Sequence, residues 1–238
     1  ASACRGRSTH DGGDVTVRRV DRLEDVPNPT PDADFVVVDV IMASTAIVRL
    51  LEQGAEYVRP FGDVEEARDF AESVEEAVLV GEQAGAPVDG FDLLPLPSSF
   101  SDHDLDGARV GMVTTNGTRA VERIGADEDI FVASTVNAHA VAEALNERDG
   151  ETWLVAAGRY GEPTPEDTAG ARLVEAHHDG GVDDEDAEEI RDAVRSSNTA
   201  DWIRRIGLAD ELDEILRLDS SGTVPRTRDG VFVADSRR

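Results

Sequence analysis

The sequence predicts an α/β protein, a three-layer α/β/α sandwich with a mostly parallel, mixed sheet at its centre. Short apolar runs rich in β-branched residues recur along the chain, and Phe35–Val40 is the clearest of them. Stretches with helical periodicity separate most of these runs. Because the runs are almost continuously apolar, the strands are expected to be buried on both faces, as in a parallel sheet covered by helices.

The elements follow in order along the chain. The predicted strands are Val15–Val17, Phe35–Val40, Glu56–Phe61, Ala77–Gly81, Arg109–Thr114, Asp129–Ala133, Thr152–Ala156 and Val231–Val233. The predicted helices are one from Ala46 that stops at Gly54, then Val64–Glu75, Thr118–Ile124, Asn137–Glu147, Pro165–His178, Asp184–Arg195, Thr199–Ile206 and Ala209–Leu216. Phe91–Ser101 is too rich in proline for regular structure and is predicted to be a long loop. Residues 1–14 are predicted to be a flexible tail, and residues 15–238 a single domain.

The charge of the chain indicates its surroundings. Acidic residues number 51 and basic residues 23, which gives a net charge of −28, and every basic residue is an arginine. The acids are spread among apolar runs, so they belong to the surface of a folded protein. Such a surface repels itself in dilute buffer, whereas at molar salt the Debye length falls to about 3 Å. We therefore expect a salt-adapted, halophilic cytoplasmic protein; an ordinary acidic mesophilic protein is the alternative.

The same composition limits the partners. An acidic surface without a basic stripe is expected to bind no nucleic acid. The chain has no apolar run of about 18 residues, so no membrane association is expected. The single cysteine, Cys4, provides neither an internal disulfide nor a cysteine cluster. A homodimer formed through an apolar patch is left open.

The first candidate loop follows the strand Phe35–Val40. Asp39 lies near the end of this apolar strand, where a carboxylate needs a partner or a metal. Ser44 and Thr45 then open a helix whose N-terminus can hold an anion. Asp39 is accordingly a candidate Mg²⁺ ligand or nucleophile, and the alternative is a satisfied turn residue with Ser44 as a helix cap.

The second candidate loop is VTTNGTRA, at 113–120. A strand ends in threonines, turns at Asn116–Gly117 and enters a helix through Thr118, with Arg119 in its first turn. The hydroxyls, the free backbone N–H groups and the guanidinium suit a phosphate or a carboxylate. The alternative is an ordinary Asn-Gly turn with a threonine cap.

Two further strand ends carry polar groups. Ser134 ends one strand and Asn137 caps the following helix. Glu166 and Asp167 begin a helix after the glycine-containing loop from Ala156, and adjacent carboxylates at a strand end suit Mg²⁺. They are equally typical of an ordinary helix start after proline. Glu82, directly after another strand, can supply a further oxygen.

A phosphate ligand in so acidic a chain needs positive charge close by. Because lysine is absent, that charge must come from Arg119, Arg159, helix N-termini and a divalent metal. A metal is therefore expected if a phosphate is bound.

The combination of these motifs resembles a known family. VDV…ST, GE…G, GFDL, TTNGTRA, S..NA.AVA and AG..G….ED…AG, in this order from Phe35 to Ala171, are similar to the 2-phosphosulfolactate phosphatases of coenzyme M biosynthesis, and the chain looks like a divergent, haloarchaeal-type member. The resemblance continues weakly through residues 199–225. It implies an α/β fold and a Mg²⁺-dependent phosphatase acting on phosphomonoesters of small 2-hydroxy acids.

The resemblance also assigns residues. It implies a catalytic set of Asp39, Glu82 and Arg119, and metal ligands Asp39, Asp92, Glu166 and Asp167. Together with the helix start at Ser44 and Thr45 and the glycine loop after Ala156, it gives a predicted phosphate-binding set of Ser44, Thr45, Thr115, Asn116, Gly117, Thr118, Ser134, Asn137 and Gly158.

The chain departs from the family pattern at two arginine positions, which are Met42 and Gln83 here. These departures motivate two alternatives to a phosphatase. One is a non-catalytic relative that binds a phosphorylated or carboxylated metabolite. The other is a protein that has lost the site and is kept for assembly.

Overall fold

The structure is a computed structural model that describes residues 15–125 and 129–235. Its strands form one mixed sheet in the order β1-β8-β2-β7-β9-β10-β3-β6-β4-β5. The strands are β1 (Val15–Val20), β2 (Asp34–Val38), β3 (Tyr57–Pro60), β4 (Ala77–Gln83), β5 (Ala86–Pro87), β6 (Arg109–Val113), β7 (Ile130–Ala133), β8 (Gly150–Ala156), β9 (Pro225–Arg228) and β10 (Val231–Ala234).

Helices cover both faces of this sheet. They are α1 (Ala43–Glu52), α2 (Val64–Ser73), α3 (Pro97–Phe100), α4 (Gly117–Ile124), α5 (Ala138–Leu145), α6 (Pro165–Asp179), α7 (Asp184–Arg195), α8 (Asn198–Arg205) and α9 (Asp210–Ile215). A single 3-10 turn, Leu23–Asp25, follows β1. No helix in the described residues is both long enough and apolar enough to cross a bilayer.

Strand β2 shows how the layers arise. All five of its residues are buried. Val36 and Val38 pack into a core with α5, α6 and the later helices, whereas Phe35 and Val37 pack into a second core with α1 and α4. Since successive side chains of a strand point to opposite faces, an unbroken apolar strand needs helices on both sides. The predicted three-layer α/β architecture is confirmed.

The sheet consists of two parallel blocks. Strands β1, β8, β2 and β7 pair in parallel, and so do β3, β6 and β4. The antiparallel hairpin of β9 and β10 joins the blocks, pairing through Phe131–Arg226 on one side and Val58–Phe232 on the other. A twist of about 20–25° per strand accumulates over these steps and turns one block relative to the other. The end loops of both blocks meet where α1 lies against α4.

The structure differs from the sequence-based expectation at α3, β5 and β9. The segment Phe91–Ser101 was expected to lack regular structure, yet it contains α3, which begins with Pro97 at its first turn, a position where proline is favourable. Strands β5 and β9 were not predicted, because they are short and contain proline. The predicted flexible tail, residues 1–14, lies outside the described residues.

Candidate active site

One pocket collects most of the strand-end residues. Its walls come from the loops that follow β2, β4, β6 and β8, and from α8. The lining residues are Asp39, Ile41, Met42, Glu82, Gly85, Thr114, Thr115, Asn116, Gly158, Arg159, Thr164, Glu166, Asp167, Thr199 and Trp202. Four of these fifteen are carboxylates and one is an arginine.

Asp39 lies directly after β2 and is only 8% exposed. Its backbone forms a closed turn with Ser44: the Asp39 N–H donates to Ser44 Oγ at 2.9 Å, and the Ser44 N–H donates to the Asp39 carbonyl at 2.9 Å. This turn fixes the aspartate at the start of α1. Burial raises the pKa of Asp39 well above its usual range, and the nearby carboxylates of Asp167, Glu82 and Glu166 raise it further.

Asp167 is held by backbone amides. Its Oδ1 accepts from the Val40 N–H at 2.8 Å, and its Oδ2 accepts from the Gly158 N–H at 3.1 Å. These bonds tie the loop after β8 to the loop after β2. Burial, followed by the charge of Glu166, raises the pKa of Asp167 to about 7, although the backbone hydrogen bonds act in the opposite direction. Asp167 therefore holds the two loops of the pocket together, and both of its carboxylate oxygens already accept backbone hydrogen bonds.

Glu166 is a buried carboxylate with a free oxygen. It stands in the first turn of α6, after Pro165, and is 3% exposed. Its Oε2 is buried and has no hydrogen-bond partner in the described part of the chain. An unpartnered carboxylate oxygen at such a depth is costly, so it calls for a ligand.

Glu82 organises the opposite wall. Its Oε1 accepts from the Thr115 N–H at 2.7 Å, and its Oε2 accepts from Thr115 Oγ1 at 3.0 Å and from the Gly85 N–H at 2.6 Å. Ala84 and Gly85, both with positive φ, turn the chain from β4 into β5. Glu82 thus links this turn to the loop that enters α4.

The start of α4 faces Asp39. Asn116 is the N-cap residue, but its side chain makes no capping hydrogen bond. Gly117 is packed so closely that a Cβ would lie 2.4 Å from the Cβ of Ala43 and 3.0 Å from Asp39 Oδ2. The first N–H groups of a helix lack intrahelical partners, so this helix start offers donors beside the aspartate.

Three residues of the predicted phosphate-binding set lie behind the pocket instead of lining it. Thr45 and Ser134 are fully buried, and their hydroxyl oxygens are 2.6 Å apart. Asn137 accepts from the Ser134 N–H at 2.8 Å and donates to the carbonyls of Val132 at 3.1 Å and Thr223 at 3.0 Å. These hydrogen bonds join the end of β7 to α1 and to the segment before β9. Ser44 is likewise occupied by the turn at Asp39.

Two other predicted residues are placed elsewhere. Arg119 is exposed on α4 and does not line the pocket. Asp92 is exposed, and its Oδ2 accepts from the Leu79 N–H at 2.8 Å, so it pairs with the middle of β4 and not with the strand end. The side chain of Thr118 lies outside the described part of the structure.

Sequence reasoning missed the contribution of α8. Thr199 and Trp202 line the pocket, although they follow the other lining residues by more than thirty positions. The indole of Trp202 packs on Gly85, where a Cβ would lie 3.0 Å from Cζ2. A short amphipathic helix carries no sequence signal for which strand end it will cover. The one hint in the sequence was that Trp202 is one of only two tryptophans in the chain.

Met42 is a second unexpected feature. It lines the pocket and precedes α1 with φ 107° and ψ −90°. A residue with a Cβ rarely adopts this conformation, which therefore stores strain. The sequence does not reveal this strain, because the turn at Asp39 produces it.

The carboxylates of the pocket are candidate ligands of a metal ion. In the described ranges, no three side chains of the His, Cys, Asp or Glu type converge closely enough to hold a metal by themselves. Mg²⁺ does not need such a cage, because it commonly binds through one or two carboxylates, several waters and substrate phosphate oxygens. The free oxygen of Glu166, together with the nearby Asp39, fits that mode.

Comparison with known proteins gives a consistent result. Residues 21–230 match the family model described as 2-phosphosulpholactate phosphatase. A protein from Deinococcus radiodurans named "Probable 2-phosphosulfolactate phosphatase" is 34% identical over 222 residues, covering 87% of this chain and 91% of that protein. Proteins with the same name from Prochlorococcus marinus and a Cyanothece species are 35% and 36% identical. These two matches cover 56% and 63% of this chain and only 55% and 63% of the relatives, less than two thirds of their length.

Proposed function

Since the chain belongs to the 2-phosphosulpholactate phosphatase family, we propose that it is a Mg²⁺-dependent phosphatase that hydrolyses a phosphomonoester of a small 2-hydroxy acid. The observation that supports this most is the unpartnered, buried Oε2 of Glu166 in a pocket with three other carboxylates. A buried carboxylate cluster facing a helix N-terminus is suited to a cation and an anion together, and a metal-bound phosphate ester provides both.

The phosphate group would lie at the start of α4. The helix N-terminus at Asn116 and Gly117 offers backbone N–H groups to a ligand. The side chain of Asn116 does not cap the helix, so these N–H groups are not taken up by it. Arg159 lines the same pocket, and no ion pair occupies its guanidinium within the described residues. The helix start and Arg159 are the positive counterparts that the anionic groups of such a ligand need in a protein with a charge of −28.

Glu166 and Asp39 are the groups that we assign to Mg²⁺. A bound Mg²⁺ would neutralise phosphate oxygens and so lower the cost of placing an anion beside four carboxylates. Asp167 is less suited to this role, because both of its oxygens accept backbone hydrogen bonds. Glu82 is likewise engaged by Thr115 and Gly85, so it positions the loop that enters α4.

Asp39 has two carboxylate oxygens, and we assign the one that does not hold Mg²⁺ to the attack on phosphorus. In one route this carboxylate oxygen forms the bond to phosphorus as the bond to the ester oxygen breaks, and the alkoxide leaves and takes a proton from solvent. Water then hydrolyses the aspartyl phosphate, which releases phosphate and restores the carboxylate. In the other route it takes a proton from the attacking water, a water oxygen forms the bond, and the alkoxide leaves and is protonated by solvent. Both routes use its place beside Gly117.

The test is hydrolysis of 2-phospholactate and related esters in molar KCl, measured as released inorganic phosphate while Mg²⁺ is titrated. We expect turnover that requires Mg²⁺ and falls at least a hundredfold in Asp39→Asn. Asp213→Asn is the matched control, because Asp213 is an exposed aspartate on α9.

Two results would contradict the proposal. One is an absence of phosphate release from every 2-phospho-hydroxy acid at saturating Mg²⁺. The other is equal activity of Asp39→Asn and the wild type. If 2-phospholactate raised the melting temperature without being cleaved, the chain would be a metabolite-binding relative instead of an enzyme.

A further inference from the structure

Helix α8 places a hydroxyl in the pocket that has no structural role in the described chain. Thr199 is 8% exposed and lines the pocket. Among the described residues its Oγ1 makes no hydrogen bond, and the cap of α8 comes instead from Ser197, whose Oγ accepts from the Ala200 N–H at 3.0 Å. Because this hydroxyl lines the pocket and forms no hydrogen bond with the described protein, it is available to a polar group of a ligand there.

Two neighbouring features show which ligand group fits. The N-terminal turn of α8 carries the positive end of a helix dipole. Arg159 lines the same pocket, has its guanidinium 5.3 Å from the ring centroid of Tyr160 and forms no ion pair with a described residue. The start of α4 already offers donors to the phosphate group, so the hydroxyl, the start of α8 and this guanidinium remain for the second anionic group of the ester, its carboxylate.

Trp202 limits the room beside this carboxylate position. Its ring is held against Gly85 on the turn after β4, and Glu82 accepts the Gly85 N–H. The indole therefore has the backbone of this turn against one side, which limits its movement. We expect a short substituent at C2 of the acid to be favoured over a long one.

We propose that α8 selects the substrate: Thr199, with Arg159, binds the carboxylate of the phosphorylated 2-hydroxy acid, and Trp202 restricts the size of the C2 substituent. This proposal rests on the proposed function, whose metal and attacking groups lie on other walls of the pocket. It makes Thr199 and Trp202 specificity-determining residues, a role that no catalytic step requires.

The experiment compares two esters with the full chain at saturating Mg²⁺ in molar KCl. 2-Phospholactate has the carboxylate, whereas isopropyl phosphate has a methyl group in its place. Thr199→Val removes the hydroxyl and keeps the shape, Thr199→Ser keeps the hydroxyl, and Arg205→Gln is the control on the exposed face of α8.

We expect Thr199→Val to raise KM for 2-phospholactate by about 10–100-fold, the usual effect of losing a hydrogen bond to a charged group. The kcat for this ester and the kinetics with isopropyl phosphate should stay unchanged. Thr199→Ser and Arg205→Gln should behave as the wild type. Trp202→Ala should accept 2-phosphomalate better relative to 2-phospholactate.

Two outcomes would overturn the inference. One is an unchanged preference for 2-phospholactate in Thr199→Val, and the other is an equal loss with both esters. If the wild type cleaves neither ester, the proposed function is wrong. The carboxylate-binding role of Thr199 is then tested by ligand binding alone. In that case 2-phospholactate must raise the melting temperature more than isopropyl phosphate does, and Thr199→Val must lose that difference.

Discussion

Gly117, at the start of α4, lies against Asp39 without room for a side chain: a Cβ there would stand 3.0 Å from Asp39 Oδ2 and 2.4 Å from the Cβ of Ala43. The backbone of one parallel block of the sheet thus touches the aspartate of the other. The glycine is needed here for close approach of the backbone, since its φ is not in the left-handed region.

We therefore predict that Gly117→Ala misplaces the site. The added methyl must push α4 away from α1, at a cost of about 1–3 kcal/mol in the free energy of unfolding, as for other overpacked positions. Phosphatase activity should fall more than stability does, because the donors of α4 shift away from Asp39. Chemical denaturation and phosphate release measure the two effects. Gly222→Ala is the control, since a Cβ at Gly222 meets no atom within 4 Å; equal behaviour of the two variants would contradict the packing argument.

The buried carboxylates predict a pH-dependent stability. Burial and neighbouring carboxylates raise the pKa of Asp39 well above 3.8, and that of Asp167 to about 7. A carboxyl group with a raised pKa in the folded state binds its proton more tightly there than in the unfolded chain. Its stabilising contribution is therefore complete below about pH 4 and is lost as the pH rises through about 7.

The variant Asp39→Asn should not lose stability in this way as the pH rises, because the amide stays neutral. With EDTA present, the variant should have a higher free energy of unfolding and a higher Tm than the wild type at pH 8, and the difference should shrink towards pH 5. Thermal unfolding at several pH values checks this. A variant that is less stable than the wild type at pH 8 would show that Asp39 is ionised at no cost.

Met42 provides a test of strain beside the site. Its φ of 107° and ψ of −90° suit only glycine well. Both Met42→Ala and Met42→Gly remove the methionine side chain beyond Cβ. The difference between their free energies of unfolding therefore measures the strain of the backbone conformation at this position. We expect Met42→Gly to be more stable than Met42→Ala by about 1–3 kcal/mol, measured by denaturant unfolding. The opposite order, with alanine the more stable, would mean that the turn at Asp39 relaxes without Met42.

The sequence predicted the strands and helices well, because apolar runs such as Phe35–Val40 report burial on both faces directly. It was less able to place side chains. Ser134 and Asn137 read as phosphate ligands, yet a polar residue at a strand end looks the same whether it binds a ligand or ties two loops together. Thr199 and Trp202 reach the pocket only through the packing of α8, which no local pattern encodes.

The last prediction concerns salt. The chain has a net charge of −28, and many of its ion pairs join exposed partners within one helix, such as Arg204 with Asp201 and Arg68 with Glu65. Pairs of this kind contribute only about 0–1 kcal/mol each, so they do not offset the repulsion among the remaining carboxylates. At 0.1 M salt the Debye length is about 10 Å and the repulsion acts between neighbouring side chains, whereas at 1 M it is about 3 Å.

We therefore expect Tm to rise steadily between 0.1 M and 2 M KCl, by on the order of 10 °C or a few kcal/mol. Sucrose is the control, because it also favours the compact state by exclusion from the surface but leaves charges unscreened. The double variant Glu72→Gln/Glu76→Gln removes two exposed charges, one in the last turn of α2 and one in the turn that follows it, and its Tm should depend less on KCl than that of the wild type. An equal response to KCl and to sucrose, or an unchanged salt dependence in the double variant, would mean that repulsion between carboxylates does not limit the stability of this fold.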